Sequence, residues 1–147
     1  MSPVEELIAR CRDAGMRMTP QRRAIFEQLS GNREHPTAEE IFRAVRRRHR
    51  GLSLATVYNT LETLARLGEV VRHGMGTGAE RFDPETRPHH HFVCSGCGAV
   101  EDVFGDLPVG KLVPPGCRLD RAELRLTGLC RACGGGAAEA GGAPDRQ

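Results

Sequence analysis

The sequence predicts an α+β fold in two parts. Three observations predict it: four helix-start signals within the first 53 residues, a Gly-rich hairpin pattern after them, and two Cys-x-x-Cys pairs bracketing a strand-rich second part. The chain has 147 residues, 39% hydrophobic and 27% charged. That is a globular composition, long enough for one domain or two small ones. No apolar run approaches the roughly 20 residues of a membrane span. The start, "MSPVEELIAR", carries acids and no apolar leader core, so a cytoplasmic protein is expected. Disulfides are uncommon in that compartment, and the six cysteines therefore point to metal or redox chemistry.

Ser2-Pro3-Val4-Glu5 combines a capping box with Pro at the first helical position, and Gly15 supplies a stop. Thr19-Pro20 opens a second helix with Ile25, Phe26 and Leu29 as its apolar stripe. Thr37-Ala38-Glu39-Glu40 is another capping box, leading into Ile41, Phe42 and Val45. Ser53 caps a fourth helix that ends near Gly68.

That fourth segment is "SLATVYNTLETLARLG". At about 100° per residue, Leu54, Val57, Leu61, Leu64 and Ala65 share one face. Thr56, Asn59, Thr63 and Arg66 take the other, with Tyr58 on the flank. Short amide and hydroxyl groups on a solvent face suit a major-groove reader, but also an ordinary amphipathic helix. The next stretch, "EVVRHGMGTGAERFD", tips the balance. It predicts a strand, a turn with Gly74, Gly76 and Gly78, and a second strand. Helices followed by a hairpin carrying Arg72, His73 and Arg81 predict a winged helix-turn-helix, its wing along the phosphate backbone. Net charge is only +2, yet residues 1–80 hold 13 Lys+Arg against 10 Asp+Glu, and residues 81–147 hold 8 against 9. The run "RAVRRRHR", Arg43 to Arg50, concentrates the excess. It is either a solvated helix face or a phosphate contact. The candidate DNA contacts are Arg47, Thr56, Tyr58, Asn59, Thr63 and Arg72.

In the second part, "HHHFVC", "GAVEDVF" and "AELRLTG" read as three short strands. "GDLPVGKLVPPGC" is a weak helix candidate, cut short by Pro114-Pro115. The low-complexity tail, residues 137–147, is expected to be disordered. Cys94-x-x-Cys97 and Cys130-x-x-Cys133 are matched knuckles, and four thiolates at such spacing fit a closed tetrahedral zinc site. Gly96, Gly98 and Gly134 suit the tight turns this needs. Cys11 and Cys117 lack a partner motif and read as buried small hydrophobes. On a strand, His89 and His91 point to one face and His90 to the other. Two imidazoles with Asp83 upstream and Asp102 on the next strand suit iron, manganese or zinc; a polar strand end explains the histidine run as simply.

Taken together, "GMRMTPQR", "HPTAEEIF", "LSLATVYNTLETLARLGEV", "RFD", "HHHFVCSGCGAV" and "GLCRAC" resemble the ferric uptake regulator (Fur) family of bacterial metal-dependent repressors. The resemblance covers roughly Gly15 to Cys133. It implies a winged-helix DNA-binding domain over residues 1–82 and a small α/β dimerisation domain with a zinc site over residues 83–136. It implies a homodimer on double-stranded DNA with a palindromic operator, structural Zn2+ at the four cysteines, and a regulatory Fe2+ or Mn2+. The peroxide-sensing (PerR-type) branch takes that ion on positions matching His35, Asp83, His89, His91 and Asp102, and the resemblance makes His35 and His89 the oxidation-sensitive ligands. Iron-sensing members usually have Glu where this chain has Asp83, and often Arg where it has Asn59. The wing cysteine of the zinc-sensing branch is missing, and no His follows His91. The stretch between Cys97 and Cys130 is shorter than the family's, which implies a reduced dimer interface.

The expected function is a peroxide-sensing repressor, not an enzyme. The alternatives are an iron-responsive repressor of uptake genes and a zinc-ribbon interaction module without DNA binding. A metalloenzyme ranks below both, since no His-Glu general-base motif accompanies the histidines.

Overall fold

The computed structural model describes residues 1–74 and 78–135; the expected disordered tail and the hairpin tip at Gly76 lie outside them. The chain divides into two compact units, Met1–Pro88 and a second beginning at His89.

The first unit holds α1 (Pro3–Asp13), α2 (Pro20–Leu29), α3 (Ala38–Arg46), α4 (Leu54–Arg66), β1 (Val71–His73) and β2 (Arg81–Asp83). Each helix starts where a side-chain oxygen can take an orphan N–H. Ser2, Thr19, Thr37 and Ser53 are the N-caps, and Ser2–Glu5 and Thr37–Glu40 close full capping boxes. The helices bury one stripe each: Leu7, Ile8 and Cys11; Ile25, Phe26 and Leu29; Ile41 and Val45; Val57, Leu61 and Leu64. Phe82 closes this core from the hairpin. Thr60 is buried as well, its hydroxyl donating to the Thr56 carbonyl at 2.7 Å. Leu54, expected on the buried face, is only half-buried.

The hairpin is antiparallel, with Val71 opposite Asp83 and His73 opposite Arg81. The loop before α3 is fastened to it. Phe82 N–H donates to the Pro36 carbonyl at 3.0 Å, Thr37 bridges Arg81, and Arg81 Nη1 donates to the His35 carbonyl at 3.0 Å. His35 itself has φ +51°, a left-handed conformation uncommon outside glycine.

The second unit is a three-stranded sheet in the order β4-β3-β5, from β3 (His90–Cys94), β4 (Val100–Val103) and β5 (Arg125–Gly128). β3 pairs antiparallel with β4 and parallel with β5. The Pro-interrupted stretch forms only a 3-10 turn, Val109–Leu112. Among the described residues, Val93, Cys94 and Val100 are this unit's buried apolar side chains. Cys117 is exposed, which corrects its reading as a buried hydrophobe; Cys11 does fill that role. Cys117 lies between the 3-10 turn and β5, where the described residues form no helix or strand that could bury it.

Candidate metal centres

β3 ends at Cys94 and β5 ends two residues before Cys130, so the sheet carries both knuckles to one end. Cys94 Sγ accepts backbone N–H groups from Gly96 at 3.3 Å, Cys97 at 3.5 Å and Cys130 at 3.3 Å. These donors, led by that of Cys130, lower the Cys94 thiol to about 6. Cys133 moves the other way, to about 12, through hydrogen bonds with Cys97, Cys130 and Cys94. Four converging sulfurs cannot all shed protons unless a cation replaces them. The Cys97 and Cys130 sulfurs are 3.7 Å apart, and a zinc–sulfur bond of about 2.3 Å gives a tetrahedral edge of about 3.8 Å. Gly96 is needed for the approach: a Cβ there would lie 3.0 Å from Cys133 Sγ. The four-cysteine group therefore fits zinc.

The harder donors fall in two groups. In the first unit, His35 Nε2 lies 3.2 Å from Asp83 Oδ2, both fully buried. Oδ1 of Asp83 accepts the Glu85 N–H at 2.8 Å. Burial favours the neutral carboxyl, but hydrogen bonds from His35, His73 and Glu85 outweigh it and hold Asp83 well below the ordinary carboxylate range. In the second unit, His91 faces Asp102 across the β3–β4 register. Asp102 Oδ1 lies 3.0 Å from His89 Nε2 and 3.6 Å from His91 Nε2. The His89 ring meets His91 edge-on and stacks on Phe104. His90 points the other way, accepting the Leu124 N–H on Nδ1 at 3.1 Å.

Separations of 3.0 to 3.6 Å between donors match the edges, about 3.0 Å, of an octahedron with bonds near 2.1 Å. Glu123 adds what the sequence reading missed. Its Oε1 is 3.4 Å from His91 Nδ1. A carboxylate on that nitrogen fixes the tautomer and leaves Nε2 as the donor, as in carboxylate–histidine–metal triads. His73 was also missed as a donor: its Nε2 is 3.7 Å from Asp83 Oδ2. Hairpin alternation could have found it, since His73 and Asp83 share one face. Nothing local signals Glu123, which depends on a parallel pairing.

On α4, Tyr58 and Asn59 are exposed, while the Thr56 hydroxyl pairs with Ser53 Oγ and Thr63 donates to the Asn59 carbonyl. Tyr58 donates to Glu39 on α3 at 2.7 Å. Arg43, Arg46, Arg47 and Arg50 line a groove beside Phe42. Arg72 on β1 is exposed, 3.9 Å from Glu80. Residues 13–109 match the ferric uptake regulator family model. The chain belongs to the ferric uptake regulator family. The PerR-named peroxide-responsive repressor of Staphylococcus epidermidis is 41% identical over 99 residues, 67% of this chain and 66% of that protein. The Vibrio cholerae ferric uptake regulator is 30% identical, with a TM-score of 0.66, over 82% of this chain and 96% of that one. PerR of Streptococcus pyogenes, analysed for peroxide sensing and gene regulation, is 28% identical with a TM-score of 0.55, covering 90% and 94%. Membership in the ferric uptake regulator family makes the chain a transcriptional regulator of mixed α+β fold. Among the described residues no helix is long and apolar enough to cross a membrane.

Proposed function

We propose that the chain is a metal-dependent repressor that releases DNA in response to peroxide. The observation that carries this reading is Asp83, a short buried carboxylate held between His35 and the Glu85 N–H in an all-nitrogen-and-oxygen donor set. The 41% identical relative, named a peroxide-responsive repressor, supports the same branch. His35 and Asp83 from the first unit, with His89, His91 and Asp102 from the second, would hold one Fe2+ or Mn2+. Cys94, Cys97, Cys130 and Cys133 would hold a structural Zn2+.

One ion on donors from both units selects one arrangement of them, so its binding free energy biases the DNA-competent form. A bound ferrous ion would supply the electron that splits a peroxide O–O bond beside its own ligands. His35 and His89 are the oxidisable groups there, and a modified imidazole no longer holds the ion. A second copy of the chain would complete the repressor: β5 is an edge strand, with Leu126 on it and Leu129 just past its end exposed. Two copies of α4 at fixed spacing read a palindrome.

Iron-loaded protein given low peroxide is expected to gain one oxygen atom on the peptide holding His35 or His89 and to release its operator. Manganese-loaded protein is expected to do neither. Asp83→Glu should weaken the peroxide response while keeping metal-dependent DNA binding. The similarity to the Vibrio cholerae ferric uptake regulator favours the second reading, an iron-responsive repressor. Unmodified His35 and His89 in iron-loaded protein that keeps its DNA select that reading.

Asn59→Ala is expected to reduce discrimination between operator and random DNA by about 1–3 kcal/mol. Arg47→Ala should weaken binding to both and flatten the log–log salt slope by about one unit. Titrations at two salt concentrations check both. An unchanged specificity ratio for Asn59→Ala would remove α4 as the reading helix.

A further inference from the structure

All three residues of β2 grip the loop before α3, at His35 and Pro36. Arg81 Nη1 donates to the His35 carbonyl at 3.0 Å, and Phe82 N–H donates to the Pro36 carbonyl at 3.0 Å. Asp83 Oδ2 lies 3.2 Å from His35 Nε2. Arg81 and Asp83 are two apart on the strand and so share a face. That face holds the His35 main chain with one side chain and the His35 ring with the other. His35 needs such a grip. Its φ is +51°, and Pro36 after it disfavours the ordinary helical alternative. A residue with a side chain keeps a left-handed conformation where its surroundings fix it there. Arg81 is itself held in place. Glu40 Oε2, which accepts the Thr37 N–H at 2.8 Å in the α3 capping box, lies 3.7 Å from Arg81 Nη1. The Arg81 side chain is 18% exposed, against 50% for Arg72 on the facing strand. A wing arginine that the sequence offers to phosphate is thus turned inward, onto a candidate metal ligand.

We propose that Arg81 is a positioning residue for the regulatory ion, fixing His35 as a ligand before the ion arrives. This rests on the five-donor reading above and deepens it. A guanidinium has donors and no acceptor, so Arg81 ligates nothing itself and acts through the His35 carbonyl. A ligand already in place loses little conformational freedom when the ion binds, and binding is tighter for it. Without Arg81, His35 is released from its left-handed conformation and its ring no longer stays against Asp83.

Manganese is the probe, added to full-length protein that retains its four-cysteine zinc, with the free ion counted by electron paramagnetic resonance. Arg81→Met keeps an unbranched stem and removes the donors. It is expected to weaken manganese binding about 10–100-fold, with zinc content and helical signal unchanged. His35→Ala is expected to weaken it at least as far. In the His35→Ala background, Arg81→Met is expected to cost nothing more, because its effect passes through His35. At saturating manganese, the log–log salt slope of DNA binding by Arg81→Met should equal that of wild type. Equal losses in both backgrounds would mean that Arg81 serves the fold in general, and overturn the proposal. A slope lowered by about one unit would make it a phosphate contact, and overturn it as well. Unchanged manganese affinity in Arg81→Met does the same, and the five-donor reading stands if His35→Ala still weakens binding. Unchanged affinity in His35→Ala overturns that reading instead. Wild-type protein gives a measurement that needs no variant. Before manganese is added, the Arg81 guanidinium should show resolved, slowly exchanging N–H signals in nitrogen-15 spectra. Signals averaged by rotation, like those of a surface arginine, overturn the positioning role.

Discussion

Cys97→Ser is expected to strip zinc from the chain and unfold the second unit. A structural zinc site carries apparent binding free energies of about 10–16 kcal/mol, and that energy is folding energy where the site does not pre-exist. The second unit has little else to hold it. Its buried apolar side chains among the described residues are Val93, Cys94 and Val100, and a fully buried valine contributes roughly 1.5–3 kcal/mol. The first unit, with its own core of four helix stripes, should keep its helical signal. Zinc per chain is expected to fall from one to near zero, and protease sites beyond residue 89 to open while α1–α4 stay protected. Full zinc content with an unchanged melting curve would sink the four-cysteine assignment.

His91→Ala is expected to raise the manganese concentration needed for operator binding at least 100-fold, about 2.7 kcal/mol. His91 is buried between Asp102 on its Nε2 side and Glu123 on its Nδ1 side. Its removal deletes a donor and leaves two carboxylates facing a void, which also disorders Asp102 for His89. Zinc should stay at one per chain, separating this effect from unfolding. Operator binding with wild-type manganese dependence would show that the harder group is not the regulatory site. Glu123→Gln, which touches only the outer nitrogen of His91, should cost less, about 10–100-fold.

The helical half was legible because its determinants are local. Ser2, Thr19, Thr37 and Ser53 each act within one turn of themselves, and a hydroxyl before an apolar stripe leaves few alternatives. The hairpin was legible for the same reason. Thr60 was not, because a hydroxyl satisfied by its own helix can enter a core that polarity alone would deny it. The thiolate knuckles announced themselves by spacing. Of the harder donors, His89, His91, Asp83 and Asp102 stood out as a possible cluster from the sequence itself, but His35 entered only through resemblance, since it lies far from Asp83 in sequence and meets it because the loop before α3 is fastened to β2. His73 was open to hairpin alternation, but Glu123 enters through a parallel pairing of the sheet that no short stretch encodes.

The parallel register of β3 with β5 also dictates a timetable for a newly made chain. Parallel partners cannot be joined by a tight turn, so 36 positions separate Cys94 from Cys130, and the loop between them must close first. Closing it costs about 3 kcal/mol of chain entropy beyond a constant, before any strand contact offsets that cost. The first unit, built from neighbouring helices, has no such wait and is complete while the second is still an open loop. If zinc bound at one knuckle is what holds that loop closed, the folding of the second unit is expected to depend on zinc concentration. Refolding should show two phases, a fast one blind to zinc and a slow one whose rate rises with zinc concentration. In a zinc-starved cell the chain would pause at that second step, with folded helices and no dimer.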